Sequence, residues 1–302
     1  MLEIVTITFQ RSKLLERLFE SILKANEFHK IDFRWIVVFN SFDIDYKELQ
    51  ERIIHQLGES FLPIVNSENI GLTPALKLAY SKTLEQSLVL RVDDDDYLTV
   101  DAFRQITDDL KEYVMSNNEL SGIIYDTLST KDTIIGNTLG HSRASTNFEL
   151  HNLLGLTGDK TRLIRAHILK EFPYPTFEGE NFVPDAYLYY SIDSKYQTLY
   201  LPKSIKISEY LSGGLSDGFT ENVKKNSQGF TAYYRLLLAH PEQSVKTRFI
   251  TMLKLARTMS IIPYQIKHFS FLERLLMMLL LPFARFYNYL QKIRFRRNLN
   301  SS

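Results

Sequence analysis

Short segments rich in β-branched residues alternate with longer segments of helical apolar spacing throughout the first hundred residues of the chain. The predicted strands are 2–9, 33–39, 61–65 and 87–92, and the predicted helices between them are 14–23, 45–57 and 72–83. This alternation is typical of an α/β fold with a mostly parallel sheet covered by helices on both faces. Right-handed crossovers bring the strand carboxyl ends to one edge, so we expect a ligand site in the loops after Thr8, Phe39 and Val92.

The rest of the chain is less regular, and its charge divides it into two parts. We predict a strand at 123–128, a hairpin at 132–140, a helix at 184–194 and a strand at 199–208. Residues 246–302 contain eleven Lys and Arg but a single acid, Glu273, which leaves 25 basic and 34 acidic residues in 1–245. We therefore expect a catalytic or binding domain over 1–240 and a basic helical segment over 241–302. The absence of cysteine excludes a disulfide scaffold and a thiolate metal site.

Nine consecutive apolar residues, 275–283, lie within the basic carboxyl-terminal segment. A membrane-spanning helix needs about 20 apolar residues, so this stretch is too short to span. Because the basic run 292–297 follows it, the segment fits an amphipathic helix on an anionic membrane surface. Packing on the catalytic domain or on a second subunit is the alternative. No nucleic-acid-binding module accompanies the tail, so we expect no nucleic-acid partner.

Four consecutive aspartates, Asp93 to Asp96, follow the fourth predicted strand. Their mutual repulsion beside a buried strand costs free energy, and a divalent cation relieves it. Carboxylate oxygens suit Mn²⁺ or Mg²⁺, and Mg²⁺ usually takes one or two protein carboxylates together with water and phosphate oxygens. In a turn at a strand end, Asp93 and Asp95 are spaced to reach one ligand together. The alternative is a solvated acidic turn that caps a helix predicted around 100–114.

Four segments of the chain, taken in order, resemble the family-two glycosyltransferases, which have the GT-A fold. They are 4–11, 35–41, 69–76 and 91–98, which match the first strand, the second strand with its nucleoside-contacting loop, the Asn-x-Gly segment and the Asp-x-Asp motif of the family. The resemblance covers residues 1–110 and is patchier up to about 235. It implies that Asp95 and Asp93 ligate the metal. It also implies nucleotide contacts from Thr8, Arg11, Asn40, Asn69, Gly71, Asp93 and Asp94.

The second-strand loop departs from the pattern of the family. Many members have an aspartate pair there, one carboxylate of which reads the base, whereas this chain has Phe39 and Asn40. An Asn offers both a donor and an acceptor. A UDP-sugar is the favoured donor, but this departure leaves the base open.

An acidic segment that contains Pro184, residues 180–186, opens the helix predicted at 184–194. An inverting transfer needs a general base within hydrogen-bond reach of the acceptor hydroxyl. The segment resembles one in a subgroup of the family in which the residue after Pro is acidic, which implies Asp185 as the catalytic base and Glu180 as the alternative. Asp185 also suits a helix N-terminus with no catalytic role. Residues 209–216 resemble the late loop of this subgroup, which often closes over the donor phosphates.

These patterns predict an inverting, metal-dependent glycosyltransferase of the hexosyltransferase type that acts in cell-surface polysaccharide synthesis. The expected partners are a nucleoside-diphosphate sugar, a glycan or lipid-linked acceptor, and the anionic inner face of the cell membrane, to which a cytoplasmic protein would attach peripherally. A catalytically inactive relative in a membrane glycan-assembly complex is the alternative. A metal-dependent nucleotidyltransferase also uses an acidic strand end, but the chain lacks the Gly-rich, Lys-containing loop of that class.

Overall fold

The computed structural model describes residues 1–41, 46–114, 117–209, 219–240 and 242–261, followed by 275, 278–284 and 286. The strands are β1 Leu2–Thr8, β2 Phe33–Asn40, β3 Phe61–Asn66, β4 Leu88–Arg91, β5 Asp96–Leu98, β6 Leu120–Ser129, β7 Arg143–Ser145, β8 Lys160–Arg165 and β9 Gln197–Ser208. The helices are α1 Ser12–Phe28, α2 Lys47–Leu57, α3 Leu72–Ser81, α4 Ala102–Asp109, α5 Ala166–Glu171, α6 Asp185–Ile192, α7 Phe219–Lys225, α8 Ser227–Ala239 and α9 Val245–Ile261. Two compact units result, the first made of Met1–Tyr174 and Leu188–Ser212 and the second of Pro175–Tyr187 and Gly213–Ser302.

A single sheet, to which the described residues contribute nine strands, organises the first unit. The order along its main path is β3-β2-β1-β4-β8-β6-β9-β5, and β7 pairs with β9 outside this path. Strands β3, β2, β1 and β4 are parallel, whereas β8 runs antiparallel between β4 and β6. The predicted α/β fold with a mixed, mostly parallel sheet is thereby confirmed. The carboxyl ends of the four parallel strands share one edge, where open sheets of this kind bind ligands.

Large apolar side chains fill the space between the sheet and helices α1, α2 and α4. Trp35 of β2 is fully buried, stacks on Phe19 of α1 with 5.9 Å between ring centroids, and donates its indole N–H to Thr6 at 3.0 Å. Helix α3 also packs on β1 and β2, but its buried Ala75 and Leu76 lie outside this cluster. The sheet is therefore covered on both faces, as the alternating pattern predicts.

Sequence patterns located the predicted strands and helices of the first hundred residues to within a few residues of their bounds. They missed β5 there, and β7, β8, α5, α7 and α8 later in the chain. Strand β8 was missed because three of its residues, Lys160, Arg162 and Arg165, are charged, which is not typical of an interior strand. Lys160 is nevertheless buried. The hairpin predicted at 132–140 is wrong for the described chain. A single bridge, between Leu128 and Ile134, forms there, and glycine turns take up the rest.

A buried polar cluster, named here the Lys160 network, lies against residues 135–137 and consists of Lys160, Asp126 and Tyr200. The Lys160 ammonium is 3.1 Å from Asp126 Oδ1, and neither side chain is more than 1% exposed. It also donates to the carbonyls of Ile135 and Asn137 at 3.1 and 2.8 Å, while the Tyr200 hydroxyl donates to Asp126 Oδ2 at 2.8 Å. The bonds from the Lys160 ammonium to these two carbonyls join the turn at 135–137 to β8, and the ion pair with Asp126 joins it to β6.

The described part of the second unit is helical. Helices α7, α8 and α9 bury Val223, Phe230, Tyr234 and Leu255 together, so α7 and α8 belong to this unit although the sequence placed a domain boundary at 240. Leu280 and Ala284 join the same core. Their neighbours present an apolar stripe to solvent: Leu275, Met278, Leu279, Phe283 and Phe286, which are 47–66% exposed.

No helix in the described parts of the chain is long and apolar enough to cross a membrane. The basic run at 292–297 lies outside the described residues.

Candidate active site

The loops that leave β1, β2 and β4 lie at the edge where the parallel strands end. Three described residues that are not glycine have positive φ angles: Gln10 in the first of these loops, at 55°, Ser41 in the second, at 113°, and Asp132 in the turn after β6, at 55°. Two of the three thus lie at this edge. Such conformations cost about 1–3 kcal/mol each and cluster where the surrounding structure fixes a ligand site. Backbone strain and strand topology therefore point to the same edge.

The acidic turn, Asp93 to Asp96, follows β4 at this edge. The Asp96 amide donates to the Asp93 carbonyl at 3.0 Å, and pairing of Asp96 with Ser208 joins β5 to β9. Burial alternates along the turn, since Asp94 and Asp96 are buried while the side chains of Asp93 and Asp95 are 44% and 24% exposed. The two more accessible carboxylates are the two predicted to ligate a metal.

A chain of hydroxyl groups holds Asp94. Thr8 Oγ1 donates to Asp94 Oδ2 at 2.8 Å, and the Tyr46 hydroxyl lies 2.8 Å from Thr8 and accepts the Arg11 backbone N–H at 2.7 Å. Thr8 has one proton and donates it to Asp94, so Tyr46 donates to Thr8. Burial raises the pKa of Asp94 to about 6, although Thr8 and Arg11 act in the opposite direction. Three predicted nucleotide-site residues, Thr8, Arg11 and Asp94, thus lie in direct contact.

Two further cations hold the outer carboxylates of the turn. Arg91 donates Nε to Asp93 Oδ1 at 2.9 Å and Nη2 to Oδ2 at 3.3 Å. Burial alone raises the pKa of Asp93, but Arg91 and Lys206 outweigh it, so that this pKa lies below its usual value. Lys206 is buried and pairs with Asp96 and, at 3.1 Å, with Asp159. Burial opposes the charge of Lys206, but the surrounding carboxylates raise its pKa above the usual value.

Asp95 is contacted by two arginines, one at its side chain and one at its backbone. Arg11 Nη1 is 2.9 Å from Asp95 Oδ2 and 3.2 Å from Asp94 Oδ1. Arg17 Nη2 donates to the Asp95 carbonyl at 2.5 Å, and its Nη1 pairs with Glu209 at the end of β9. Asp95 Oδ1 makes no hydrogen bond with any residue that the structure describes. One carboxylate oxygen of Asp95 therefore remains available to a ligand.

The donor set of the acidic turn suits a divalent cation held by few protein ligands. The contacts above join six carboxylates to four cations, an excess of two negative charges. Within the described ranges, no group of three or more acidic or histidine side chains is placed to hold a metal ion. Mg²⁺ usually takes one or two carboxylates and completes its shell with water and phosphate oxygens. The described part of the turn therefore holds no preformed metal site, and a cation shared between Asp93, Asp95 and a bound phosphate stays a prediction.

Three other residues predicted to contact the nucleotide, Asn40, Asn69 and Gly71, form a separate hydrogen-bonded cluster. Asn40 donates to Asn69 Oδ1 at 2.8 Å and to the Gly71 carbonyl at 3.3 Å, and it accepts from Asn66 and the Ile70 amide, both at 3.1 Å. Asn69 Oδ1 also accepts the Gly71 amide at 2.9 Å. Gly71, with φ 86°, is the residue immediately before α3. The hydrogen bonds of Asn40 are all made within the protein, so Asn40 shapes this loop. A direct contact of Asn40 with a nucleotide stays a prediction.

The two candidate bases belong to the second unit and differ in their surroundings. Glu180 accepts the backbone amides of Gln228 at 2.8 Å and Gly229 at 2.9 Å, so both carboxylate oxygens cap the N-terminus of α8. Asp185 is the first residue of α6, at the helix start that the sequence predicts. The structure therefore gives Glu180 a structural role as a cap of α8, and a catalytic role for Asp185 stays a prediction. The late loop predicted at 209–216 lies outside the described residues beyond Glu209.

Sequence reasoning missed most of the side chains that hold the acidic turn, namely Tyr46, Arg17, Arg91, Lys206 and Glu209. Tyr46 and Arg17 lie in segments with ordinary helical patterns, where a Tyr or an Arg reads as surface. Lys206 and Glu209 are separated from the turn by more than a hundred residues of chain, so local spacing carries no signal for them. The charges that stabilise a like-charged turn become visible only once the strands are paired.

Comparison with solved structures finds the same fold at low sequence identity. S. aureus TarS 1-349 in complex with UDP-GlcNAc matches with a TM-score of 0.61 and 14% identity over 86% of this chain and 72% of that one. The mannosyltransferase PcManGT from Pyrobaculum calidifontis, in complex with GDP-Man and Mn²⁺, matches with a TM-score of 0.52 and 12% identity over 96% and 82%. Against the longer crystal structure of TarS, the chain spans 52% of the length. These neighbours are GT-A glycosyltransferases, and at such identity they establish the fold.

Family membership rests on the sequence model for glycosyl transferase family 2, which matches residues 3–168. No curated protein matches the chain significantly. The matched region runs from β1 through the acidic turn to α5 and includes more than half of the chain. The chain therefore belongs to glycosyl transferase family 2.

Proposed function

We propose that the protein is an inverting glycosyltransferase that moves a hexose-type sugar from a nucleoside-diphosphate sugar to a glycan or lipid-linked acceptor during cell-surface polysaccharide synthesis. The observation that carries the proposal is the acidic turn, which lies at the ligand-binding edge of the sheet with an excess of negative charge and an available Asp95 oxygen. Membership of the family and the glycosyltransferase fold support it.

The donor is a nucleotide sugar, and we favour UDP as its nucleotide. Structural neighbours are described in complex with UDP-GlcNAc, with UDP and with GDP-Man. Thr8 and Arg11 both donate hydrogen bonds to Asp94 at the edge where β1 and β4 end. The loop that ends at Gly71 is held by Asn40, at the end of β2 on the same edge. Arg11 faces the turn as a cation, so it is placed to pair with a phosphate as well as with Asp95.

Asp93 and Asp95 would hold the cation, Mn²⁺ or Mg²⁺. When bound, such a cation neutralises the charge that develops on a diphosphate leaving group. Structures of two neighbours, PcManGT and GalNAc-T7, contain Mn²⁺. Arg91 orients Asp93 through two hydrogen bonds, and the lowered pKa of Asp93 keeps it ionised at neutral pH.

Asp185 is the proposed base that takes the proton from the acceptor hydroxyl. It is the first residue of α6, at the helix start that the resemblance assigns to the base. Glu180 is engaged by two backbone amides, which leaves it less suited to this role. Replacement of a general base costs about 10²–10⁴-fold in rate.

The acceptor side of the proposal includes a membrane surface. The apolar stripe, which runs from Leu275 to Phe286 in the second unit, is exposed, and the chain from 246 to 302 has eleven basic residues and one acid. An exposed apolar stripe in a segment of net positive charge favours binding to an anionic lipid surface. Burial of the apolar side chains and electrostatic attraction to the lipid head groups then act together. We therefore propose peripheral attachment at the cytoplasmic face of the cell membrane, where a lipid-linked acceptor would be met.

The catalytic proposal is tested with a panel of nucleotide sugars in the presence of Mn²⁺, with released nucleoside diphosphate as the readout. The wild type should turn over at least one donor, and Asp95→Ala should abolish that activity. Asp108→Ala is the matched control, since Asp108 is an exposed carboxylate on α4 away from the turn. Absence of donor binding and of metal dependence for every donor would overturn the proposal. Donor binding without turnover, unchanged in Asp185→Asn, would indicate a catalytically inactive assembly partner.

Attachment to the membrane is tested separately by flotation with vesicles of phosphatidylglycerol and phosphatidylcholine. We expect binding to anionic vesicles that decreases with added salt, because the Debye length shortens from about 10 Å at 0.1 M to about 3 Å at 1 M. The double variant Leu279→Glu, Phe283→Glu should lose binding. Leu84→Glu, at an exposed leucine of the first unit, should retain it. Dimerisation that depends on the stripe, without vesicle binding, would contradict the membrane assignment.

A further inference from the structure

Arg17 of α1 makes three contacts around the acidic turn. Its Nη2 donates to the Asp95 carbonyl at 2.5 Å, its Nη1 pairs with the Glu209 carboxylate, and its guanidinium carbon lies 4.8 Å from the centre of the Tyr97 ring. The side chain is 33% exposed, so these contacts are only partly shielded from water. One planar group thereby joins α1, the acidic turn and the end of β9.

The contact with the Asp95 carbonyl separates Arg17 from an ordinary surface arginine. Arg11 holds the Asp95 carboxylate while Arg17 holds the backbone of the same residue, so together they set the direction in which Asp95 Oδ1 points. A planar guanidinium suits this geometry, because its N–H groups have fixed directions and it stacks on aromatic rings. Arg17 is not one of the residues proposed above to contact the donor or the cation.

Arg52 provides a natural contrast within the same unit. It also pairs with two carboxylates, Glu16 and Glu20, and its guanidinium lies 5.6 Å from the centre of the Phe19 ring. It does not contact the acidic turn in the described structure, and its side chain is 40% exposed. Both arginines thus pair with carboxylates and lie near an aromatic ring, but of the two only Arg17 contacts the acidic turn in the described structure.

We propose that Arg17 is a positioning residue for the donor site, which acts by fixing the backbone of the acidic turn and, through it, the Asp95 carboxylate. Glu209 orients the guanidinium from the opposite side. The inference rests on the proposed function, because it assigns Arg17 to the binding of a nucleoside diphosphate and a divalent cation. Groups that orient a metal-binding carboxylate typically contribute about 10–100-fold to metal affinity.

Three variants distinguish this role from a general contribution to stability. Arg17→Ala removes every contact, and we expect the affinity for UDP with Mn²⁺ to fall by about tenfold or more. Arg17→Lys retains the charge but not the planar fork, so it should restore only part of that affinity. Glu209→Gln retains size and should produce a smaller loss in the same direction. Arg52→Ala is the matched control and should bind as the wild type does.

Calorimetric titration with UDP and Mn²⁺, together with thermal unfolding of each protein without ligand, decides the question. Loss of affinity in Arg17→Ala at an unchanged unfolding temperature, with partial recovery in Arg17→Lys, supports positioning. An affinity within twofold of the wild type, or a loss matched by Arg52→Ala, overturns it. If Arg17→Ala does not fold, the comparison of Arg17→Lys and Glu209→Gln with the wild type gives the same decision. A wild type that binds neither UDP nor GDP with Mn²⁺ overturns the proposed donor site and this inference with it.

Discussion

The acidic turn and the Lys160 network both bring carboxylates and cations together inside the first unit, but they do so under opposite conditions. In the Lys160 network, Lys160 and Asp126 are almost completely buried and balance each other in charge. In the acidic turn, the side chains of Asp93 and Asp95 are partly exposed, and the carboxylates outnumber their cations. The first arrangement is balanced in charge without a ligand, whereas the second keeps unbalanced charge and an available oxygen.

The difference separates charges that hold the fold from charges that are available for chemistry. A buried, fully paired cluster is costly to disrupt, because removal of one partner leaves the other charge desolvated. A partly exposed cluster of like charge contributes little stability and gains most from a ligand of opposite charge. Substitutions in the network should therefore change the free energy of unfolding, and substitutions in the turn should change ligand binding.

The largest effect is expected for Lys160→Met. Loss of the ammonium leaves Asp126 as an unpaired buried carboxylate, so we expect the free energy of unfolding to fall by about 3–5 kcal/mol. Urea unfolding at neutral pH measures this change. Lys195→Met is the control, because the Lys195–Glu171 pair is exposed and should contribute little to stability. Similar losses in both variants would remove the distinction between buried and exposed pairs.

A somewhat smaller loss is expected for Gly158→Ala, beside the network. Gly158 has φ 82°, and an added Cβ would lie 2.1 Å from the Ile135 carbonyl oxygen. Strain in this conformation and the steric clash together should lower the free energy of unfolding by about 3 kcal/mol. Gly155→Ala is the matched control, since Gly155 has φ 71° but open space around it, and it should lose only about 1 kcal/mol. Equal losses would show that the close approach of the two backbones is unimportant.

A pH-dependent change in the free energy of unfolding is expected from His151, which lies in the segment between β7 and β8. Its Nδ1 contacts the Leu156 carbonyl and its Nε2 accepts from Arg162, both at 2.9 Å, and burial together with Arg162 lowers its pKa to about 4. The neutral ring is therefore favoured in the folded state, so its contribution is complete above pH 6.5 and is lost as the pH falls towards 4. We expect about 2–3 kcal/mol across this range.

Unfolding of the wild type and of His151→Gln between pH 7 and pH 4 measures this contribution. The variant should lack that part of the pH dependence. Parallel curves for the two proteins would contradict the assignment of the pH dependence to His151.

The smallest effect on stability is expected for Asp95→Ala, in the acidic turn. Removal of a partly exposed carboxylate from a cluster of excess negative charge should change the free energy of unfolding by less than about 1 kcal/mol. In the same samples, the affinity for UDP with Mn²⁺ should fall by at least about tenfold. A large loss of stability, or an unchanged affinity, would place the turn in the same class as the Lys160 network.

The fold of the first hundred residues and its functional edge could be predicted from the sequence because local patterns encode them. β-Branched strands, amphipathic helices and the strand-end aspartates all have short-range signatures. Strand β8 could not be found in this way, because its burial depends on Asp126, more than thirty residues before Lys160. Arg17 and Lys206, which lie 78 and 110 residues from their partners in the acidic turn, were missed for the same reason. The role of Glu180 as a cap of α8 depends on a helix that starts almost fifty residues later.

The pairing of β5 with β9 joins Asp96 to a partner, Lys206, that lies 110 residues later in the chain. At about 5–20 residues per second of synthesis, roughly 5–20 seconds pass between the emergence of these two segments from a ribosome. During that interval the aspartates lack the cation that will pair with Asp96, and one edge of β6 is open. A nascent chain should therefore acquire affinity for its donor late and abruptly, and fragments that end before residue 197 should be prone to associate through the unpaired edge of β6.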